Sequence, residues 1–202
     1  MKTLYTIGVH FYGFLIRIAS LFNPKAKEWI RGRKNQWEQF PDTKNKEVIW
    51  FHCASLGEFD QGLPVMNLIK DKNPDTFLLV TFFSPSGYHH FHKRKNEIDY
   101  ACYLPLDTPK NAQRFIAHFQ PKIGIFVKYE FWSHFIFSLK KSHAKIYSIS
   151  TILRPDHRFF KWYGGFFRKT LRQFDFFFVQ NQETAKLLES IGISECEITG
   201  DN

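Results

Sequence analysis

Hydrophobic positions in this chain fall into two regimes. The first 34 residues hold one apolar, aromatic segment followed by cations. From residue 47 onward, short apolar runs alternate with longer amphipathic stretches. The short runs, at 47–53, 77–82, 100–103, 122–127, 145–149, 175–179 and 195–198, read as strands. Helical patterns lie between them, at about 58–72, 87–96, 108–119, 131–141, 157–173 and 181–190. Strands alternating with helices of this length predict βαβ units, hence an α/β fold whose Rossmann-like parallel sheet carries helices on both faces. The run Ile123–Gly124–Ile125–Phe126–Val127 is apolar throughout, as expected of a strand covered on both sides.

The first segment, Leu4 to Phe22, is apolar on most faces but carries His10 and Arg17. A spanning helix needs about 20 mostly apolar residues, so its length is borderline. The cations Lys25, Lys27, Arg31, Arg33 and Lys34 follow it directly. Residues 1–34 are therefore expected to form a membrane-associated anchor helix with a basic cluster held by anionic headgroups. The alternative is a helix packed onto the protein itself. No small-residue cleavage motif follows, which argues against a secretory signal. Residues 35–46 are polar and read as a linker into a globular domain at 47–202. The last residues run from a strand into a turn with no closing helix, so the expectation is either a fragment or a missing further domain.

Charge and composition narrow the partners. The formal charge is +9, and 18% of residues are aromatic, with 24 Phe. A basic chain attracts nucleic acid, anionic lipid or phosphorylated substrates. The aromatic–basic interleaving is too irregular for nucleic acid and no RNA motif is present. The aromatic excess points instead to a partner surface or a membrane. Cys53, Cys102 and Cys196 are odd in number and widely spaced, which disfavours a disulfide framework or zinc knuckle and implies a reducing compartment. His89, His90 and His92 do not share a helical face, so no metal site is expected. No dinucleotide fingerprint or P-loop is present.

Candidate chemistry sits at the ends of the apolar runs. Glu58 follows the turn Ala54–Ser55–Leu56–Gly57, at the carboxyl end of the first predicted strand, where open α/β sheets place ligands. It reads either as a general base or as an acid favoured by a helix first turn. Ser84, Ser86 and Gly87, after the second strand, form either an anion-binding turn or an ordinary N-cap. Glu130, in Lys128–Tyr129–Glu130–Phe131–Trp132, would share the rim with Glu58. The segment Arg154–Tyr163, with Arg168, Lys169 and Arg172 beyond, either covers an anionic ligand or presents a solvated helix face.

Together these residues carry a resemblance. His52–Cys53–Ala54–Ser55–Leu56–Gly57–Glu58, then Leu63–Pro64, resembles the H-x-x-S-V-G-E … P signature of bacterial 3-deoxy-D-manno-octulosonic acid (Kdo) transferases. Thr81–Phe82–Phe83–Ser84–Pro85–Ser86–Gly87 is similar to their T-x-x-T-P-T-G. Glu130–Phe131–Trp132 resembles their E-L-W. Ile30–Arg31–Gly32–Arg33–Lys34, Tyr103 to Pro109, Phe119 to Lys122, Phe174 to Asn181, then Gly192 and Thr199–Gly200 also match in order.

The resemblance implies the N-terminal, acceptor-binding half of a GT-B glycosyltransferase of lipopolysaccharide biosynthesis. It implies transfer of Kdo from CMP-Kdo to a phosphorylated lipid A precursor at the cytoplasmic face of the inner membrane, with inversion and without a cofactor or metal. A C-terminal domain, absent here, would bind the donor, so this stretch alone is expected to be inactive. Glu58 aligns with the catalytic base and Glu130 with a second acid. Ser55, Gly57, Ser84, Ser86, Gly87, Arg31, Arg33 and Lys34 become candidate substrate contacts. Two departures affect acceptor contacts. Lys128–Tyr129–Glu130 stands where many relatives have Glu-Thr-Glu, and Ser148 to Leu153 lacks the arginine of an N-A-R-L-S segment.

Overall fold

The structure, a computed structural model, describes residues 1–91 and 96–200, with the side chain of His90 left out. Seven strands form one parallel sheet: β1 (Val48–Cys53), β2 (Phe77–Phe82), β3 (Tyr100–Tyr103), β4 (Ile123–Val127), β5 (Lys145–Thr151), β6 (Phe176–Val179) and β7 (Cys196–Ile198). Their order is β3-β2-β1-β4-β5-β6-β7. The chain winds outward one way from β1, then returns to β4 on its other side and winds the opposite way. Each predicted strand is present.

Side-chain parity along β1 explains the two layers. Val48 and Trp50 point to one face, against Phe115 and Phe119 of α5 (Pro109–Phe119) and Phe135 and Leu139 of α6 (Ser133–Lys141). Ile49, Phe51 and Cys53 point to the other, against Phe59 and Met66 of α3 (Leu56–Lys72) and Phe91 of α4 (Pro85–Phe91). Successive residues of a strand face opposite ways, so a run apolar at every position fills two cores at once. The helices α7 (Gly165–Leu171) and α8 (Gln182–Glu189) close the first face.

Three expectations change. The helix predicted at 157–173 is broken into a 3-10 turn, Arg158–Phe160, and α7. The break is at Gly164, where an added Cβ would run into the carbonyl oxygen of Arg158. Residues 35–46 are no free linker. They hold a 3-10 turn, Gln36–Glu38, and bury Phe40 against Phe115 and Phe119.

The third change concerns the N-terminus. It forms two helices, α1 (Lys2–Ala19) and α2 (Pro24–Arg33). No helix among the described residues is long and apolar enough to cross a membrane, so the spanning form of the anchor is excluded for them. Lys2, His10 and Arg17 interrupt the apolar sequence, and α1 is docked through one face. The Tyr5 hydroxyl donates to Asp107 at 2.5 Å, Thr6 meets His134 at 2.9 Å, and Val9 and Gly13 are buried. Its outer face remains apolar and exposed, with Leu4, Ile7, Phe11, Phe14, Leu15 and Ile18 recurring every three or four residues. Among the cysteines, Cys53 and Cys102 are buried, Cys196 is partly so, and all three are free.

Candidate active site

The winding direction reverses between β1 and β4, which are direct neighbours with His52 opposite Phe126. Ligands of open α/β sheets bind outside the carboxyl ends of the strands at such a reversal. Glu58 follows β1 and Glu130 follows β4, so the two acids flank this point.

Glu58 is held by its own helix. Ser55 is the extended N-cap residue of α3, and Ser55 and Glu58 form a reciprocal capping box. Glu58 Oε2 accepts the backbone N–H groups of Ala54 and of Ser55, the latter at 3.1 Å. The residue is 8% exposed. Burial raises its pKa, while the Ala54 and Ser55 N–H groups and the charge of Lys128 oppose the rise. The capping alternative for Glu58 is realised, and the cap fixes the direction of the carboxylate. Lys128, which replaces the first acid of the Glu-Thr-Glu pattern, supplies a cation near it. It has a left-handed backbone, with φ +64, pinned by its N–H to the Ile149 carbonyl at 2.9 Å.

Glu130 sits differently. Burial, then the nearby charge of Glu58, push its pKa up to about 7, against a smaller opposing pull from Arg158. Its loop is bolted to β1. Trp132 Nε1 donates to His52 Nε2 at 2.9 Å, and His52 Nδ1 meets Thr81 Oγ1 at 2.9 Å. Thr81 also accepts from Trp50 Nε1 at 2.8 Å and lies 3.4 Å from the Phe51 carbonyl. Since Trp132 can only donate, His52 Nε2 is the acceptor and Nδ1 carries the proton. Burial holds His52 neutral, its pKa pushed down to about 3. Trp132 also stacks on Phe83, with ring centroids 4.6 Å apart.

A consequence for stability follows from Glu130. The folded state binds its proton more tightly than the unfolded chain, whose value is near 4.5, so stability falls as pH rises from about 4.5 to about 7. Glu130→Gln is expected to raise stability at pH 8 by about 1–3 kcal/mol and to leave it unchanged near pH 4. Urea midpoints at the two pH values measure this. Equal shifts at both would refute it.

The remaining candidates divide. The Ser84 N–H donates to the Ala54 carbonyl at 2.9 Å, which joins the two turns, and Ser84 Oγ lies 2.6 Å from Ser86 Oγ. Gly87 was expected to touch substrate, but packing accounts for its size. An added Cβ would lie 3.1 Å from the Ser55 carbonyl carbon and 3.2 Å from Leu56 N, where α4 starts against α3. Gly57 is exposed in the first turn of α3, with nothing within 4 Å of an added Cβ.

Arg33, a candidate phosphate contact, has three of its N–H groups engaged internally. It donates to the carbonyls of Leu104 (2.9 Å), Trp29 (3.1 Å) and Phe83 (2.8 Å), and lies 3.6 Å over the Trp29 ring. Burial lowers its pKa to about 9. Arg31 and Lys34 are exposed. Arg33 and Lys34 line a separate basic cavity of about 840 Å³ with His10, Arg17 and Lys110. Arg168 donates to the carbonyls of Phe159 and Lys161, each at 2.9 Å, so it braces the loop that carries Arg158. His89 contacts Glu28 across α4 and α2, and His92 lies outside the described residues.

One feature of the site has no trace in the strand-end motifs. Glu130, Tyr129, Trp132 and Arg158 line a cavity of about 440 Å³ whose opposite wall is α1, through Tyr5, Gly8, Val9 and Tyr12. The spacing 5, 8, 9, 12 marks one helix face and was visible in the sequence, but its partner surface was not.

Comparison with known proteins agrees with this layout. In solved structures, the fold is similar to a UDP-N-acetylglucosamine 2-epimerase (TM-score 0.55, 13% identity, covering 78% of this chain and 49% of that one). It is also similar to the UDP-GlcNAc 2-epimerase of Neisseria meningitidis bound to UDP-GlcNAc (TM-score 0.53, 15% identity, covering 77% and 46%). Among curated relatives, the 3-deoxy-D-manno-octulosonic acid transferase of Aquifex aeolicus is 28% identical over 148 residues, 73% of this chain and 38% of that protein. The Rickettsia felis transferase of the same name is 27% identical over 152 residues, 74% and 32%. A bifunctional glycosyltransferase/methyltransferase of Fusobacterium nucleatum is 25% identical over 191 residues, 90% and 29%. The chain thus spans less than two fifths of the length of these relatives. The model of the family described as 3-deoxy-D-manno-octulosonic-acid transferase (kdotransferase) matches residues 30–202. With that match over most of its length, and with two acids at the reversal of its sheet, the chain belongs to the Kdo transferase family of glycosyltransferases.

Proposed function

We propose that this chain is the acceptor-binding half of an inverting glycosyltransferase. It moves Kdo from CMP-Kdo to a phosphorylated, acylated disaccharide, the lipid A precursor, at the cytoplasmic face of the inner membrane. The observation that carries the reading is the pair of carboxyls at the β1/β4 reversal. One is oriented by two backbone N–H groups, and the other has a pKa of about 7.

In the proposed step Glu58 takes the proton from an acceptor hydroxyl. That oxygen forms a bond to the anomeric carbon of Kdo as the bond to the CMP phosphate breaks, and CMP leaves with the electron pair. Both hydrogen bonds to Glu58 end on Oε2, so the carboxylate has a second oxygen to offer the substrate. A positioned base contributes about 10²–10⁴-fold. Glu130, protonated in part near neutral pH, orients the acceptor. The step uses no metal. A further domain holds most of the donor, and the chain alone is expected to be inactive.

The exposed apolar face of α1 supports attachment along a membrane surface. Exposed Arg31 and Lys34 suit anionic headgroups. The same face favours one alternative, a module that binds anionic lipid without chemistry. Mass spectrometry separates the two. Full-length protein given CMP-Kdo and the acylated disaccharide phosphate in micelles should add at least one Kdo, with or without EDTA. An unchanged acceptor, from protein that still binds anionic vesicles, would leave the alternative standing.

A further inference from the structure

Gly8 stands inside α1, where glycine is disfavoured relative to alanine. Neither backbone nor packing requires it. Its φ is not in the left-handed region, where Gly192 and Gly200 are found, and an added Cβ meets nothing within 4 Å. Gly13, one turn and a half further on, is different: there an added Cβ would lie 2.7 Å from Leu106 Cδ2. Gly8 does lie at the centre of the α1 face that walls the Glu130 cavity.

We propose that this cavity, between α1 and the Tyr129–Trp132 loop, is a subsite for one sugar ring of a phosphorylated glycolipid, and that Gly8 leaves the room the ring occupies. This rests on the acceptor reading above and deepens it by assigning the ring a place. A site of about 440 Å³ lies within the usual span of small-ligand pockets, about 300–1,000 Å³. Its lining is mostly aromatic, with two charged groups, the composition such pockets have. Tyr12, Tyr129 and Trp132 offer flat apolar surfaces to the C–H face of a ring. Glu130 can accept from or donate to ring hydroxyls, and its charge is felt by Tyr12 across the cavity. Arg158 is exposed and lies 4.7 Å over the Phe167 ring, which leaves its fork available to a phosphate. The exposed Phe11 and Leu15 neighbour Tyr12 on α1 and give acyl chains an apolar path outward. On this account α1 serves as a wall of the acceptor site as well as a surface contact.

The test is a volume series, Gly8→Ala, Gly8→Leu and Gly8→Trp, in the full-length protein. The probe is a synthetic acylated glucosamine disaccharide phosphate in detergent micelles. Each variant's fold is checked by circular dichroism. Acceptor kcat/KM should fall progressively with side-chain size, at least tenfold for Gly8→Trp, while KM for CMP-Kdo stays within twofold of wild type. Direct binding of the same disaccharide phosphate, read by tryptophan fluorescence, should weaken in parallel. Folded Gly8→Trp protein that binds the acceptor as tightly as wild type would overturn the proposal. Wild-type protein that transfers no Kdo, but binds the disaccharide phosphate in a manner that Gly8→Trp abolishes, would sink the transferase reading and uphold the subsite.

Discussion

Glu58→Gln is expected to lower Kdo transfer by about 10²–10⁴-fold while leaving affinity for CMP-Kdo unchanged. Glutamine keeps an oxygen for the Ala54 and Ser55 N–H groups, so the cap of α3 survives in part. What it loses is the ability to take a proton. Glu58→Ala removes both functions. It should show the same rate loss plus about 0.5–2 kcal/mol of stability, the usual cost of losing a cap. That difference separates chemistry from capping. If Glu58→Ala alone loses that stability and Glu58→Gln retains more than about a tenth of the wild-type rate, Glu58 is a cap and not a base.

The second large effect is structural. Asp107 is fully buried and gathers three donors: the Tyr5 hydroxyl at 2.5 Å, the His134 N–H at 3.1 Å and the Phe135 N–H at 3.0 Å. It therefore caps the first turn of α6 and tethers α1 with one side chain. Burial raises its pKa to about 6, and the three hydrogen bonds hold it below what burial alone would give. Asp107→Ala leaves those donors unpaired in the interior, at a cost of about 3 kcal/mol or more. In a domain of this size that lowers Tm by about 6–12 °C. Residues 1–22 should also become sensitive to protease, since Tyr5 is a main attachment of α1. A melting shift under about 2 °C, with the N-terminus still protected, would refute the tether.

Much of the sheet was legible because each strand is apolar at consecutive positions and bounded by polar turns. Both faces of β1 are used, so the run shows a buried strand but not its register, which only the pairing of Val48 with Phe77 and of Ile49 with Ile123 supplies. The N-terminal region was harder. The signals that start α2 are in plain view, since the Asn23 side chain accepts from the Lys25 N–H at 2.9 Å and Pro24 opens the helix. The run of cations around it reads as a charged surface rather than a helix. Phe40 and Trp37 stand in a polar stretch, and only the tertiary structure supplies their partners, such as Phe115 and Phe119 for Phe40.

The acids were legible from their places after strands, and the Ser55-x-x-Glu58 spacing announces a capping box. Their surroundings were not. Trp132 meets His52 across 80 residues of sequence and Tyr5 meets Asp107 across 102. Pairings at such separation leave no local pattern. The same holds for Arg33: as one of several cations it reads as a phosphate ligand, and only the tertiary structure shows that three of its N–H groups are engaged by backbone carbonyls.

The proton acceptor is tested most directly by the pH dependence of acceptor kcat/KM in full-length wild type and Glu58→Gln. Wild type should lose activity on the acid side, below an apparent pKa above that of an ordinary glutamate, since burial raises Glu58. Glu58→Gln should show a low rate without that fall. An acid limb of the same position and depth in both proteins would contradict the account.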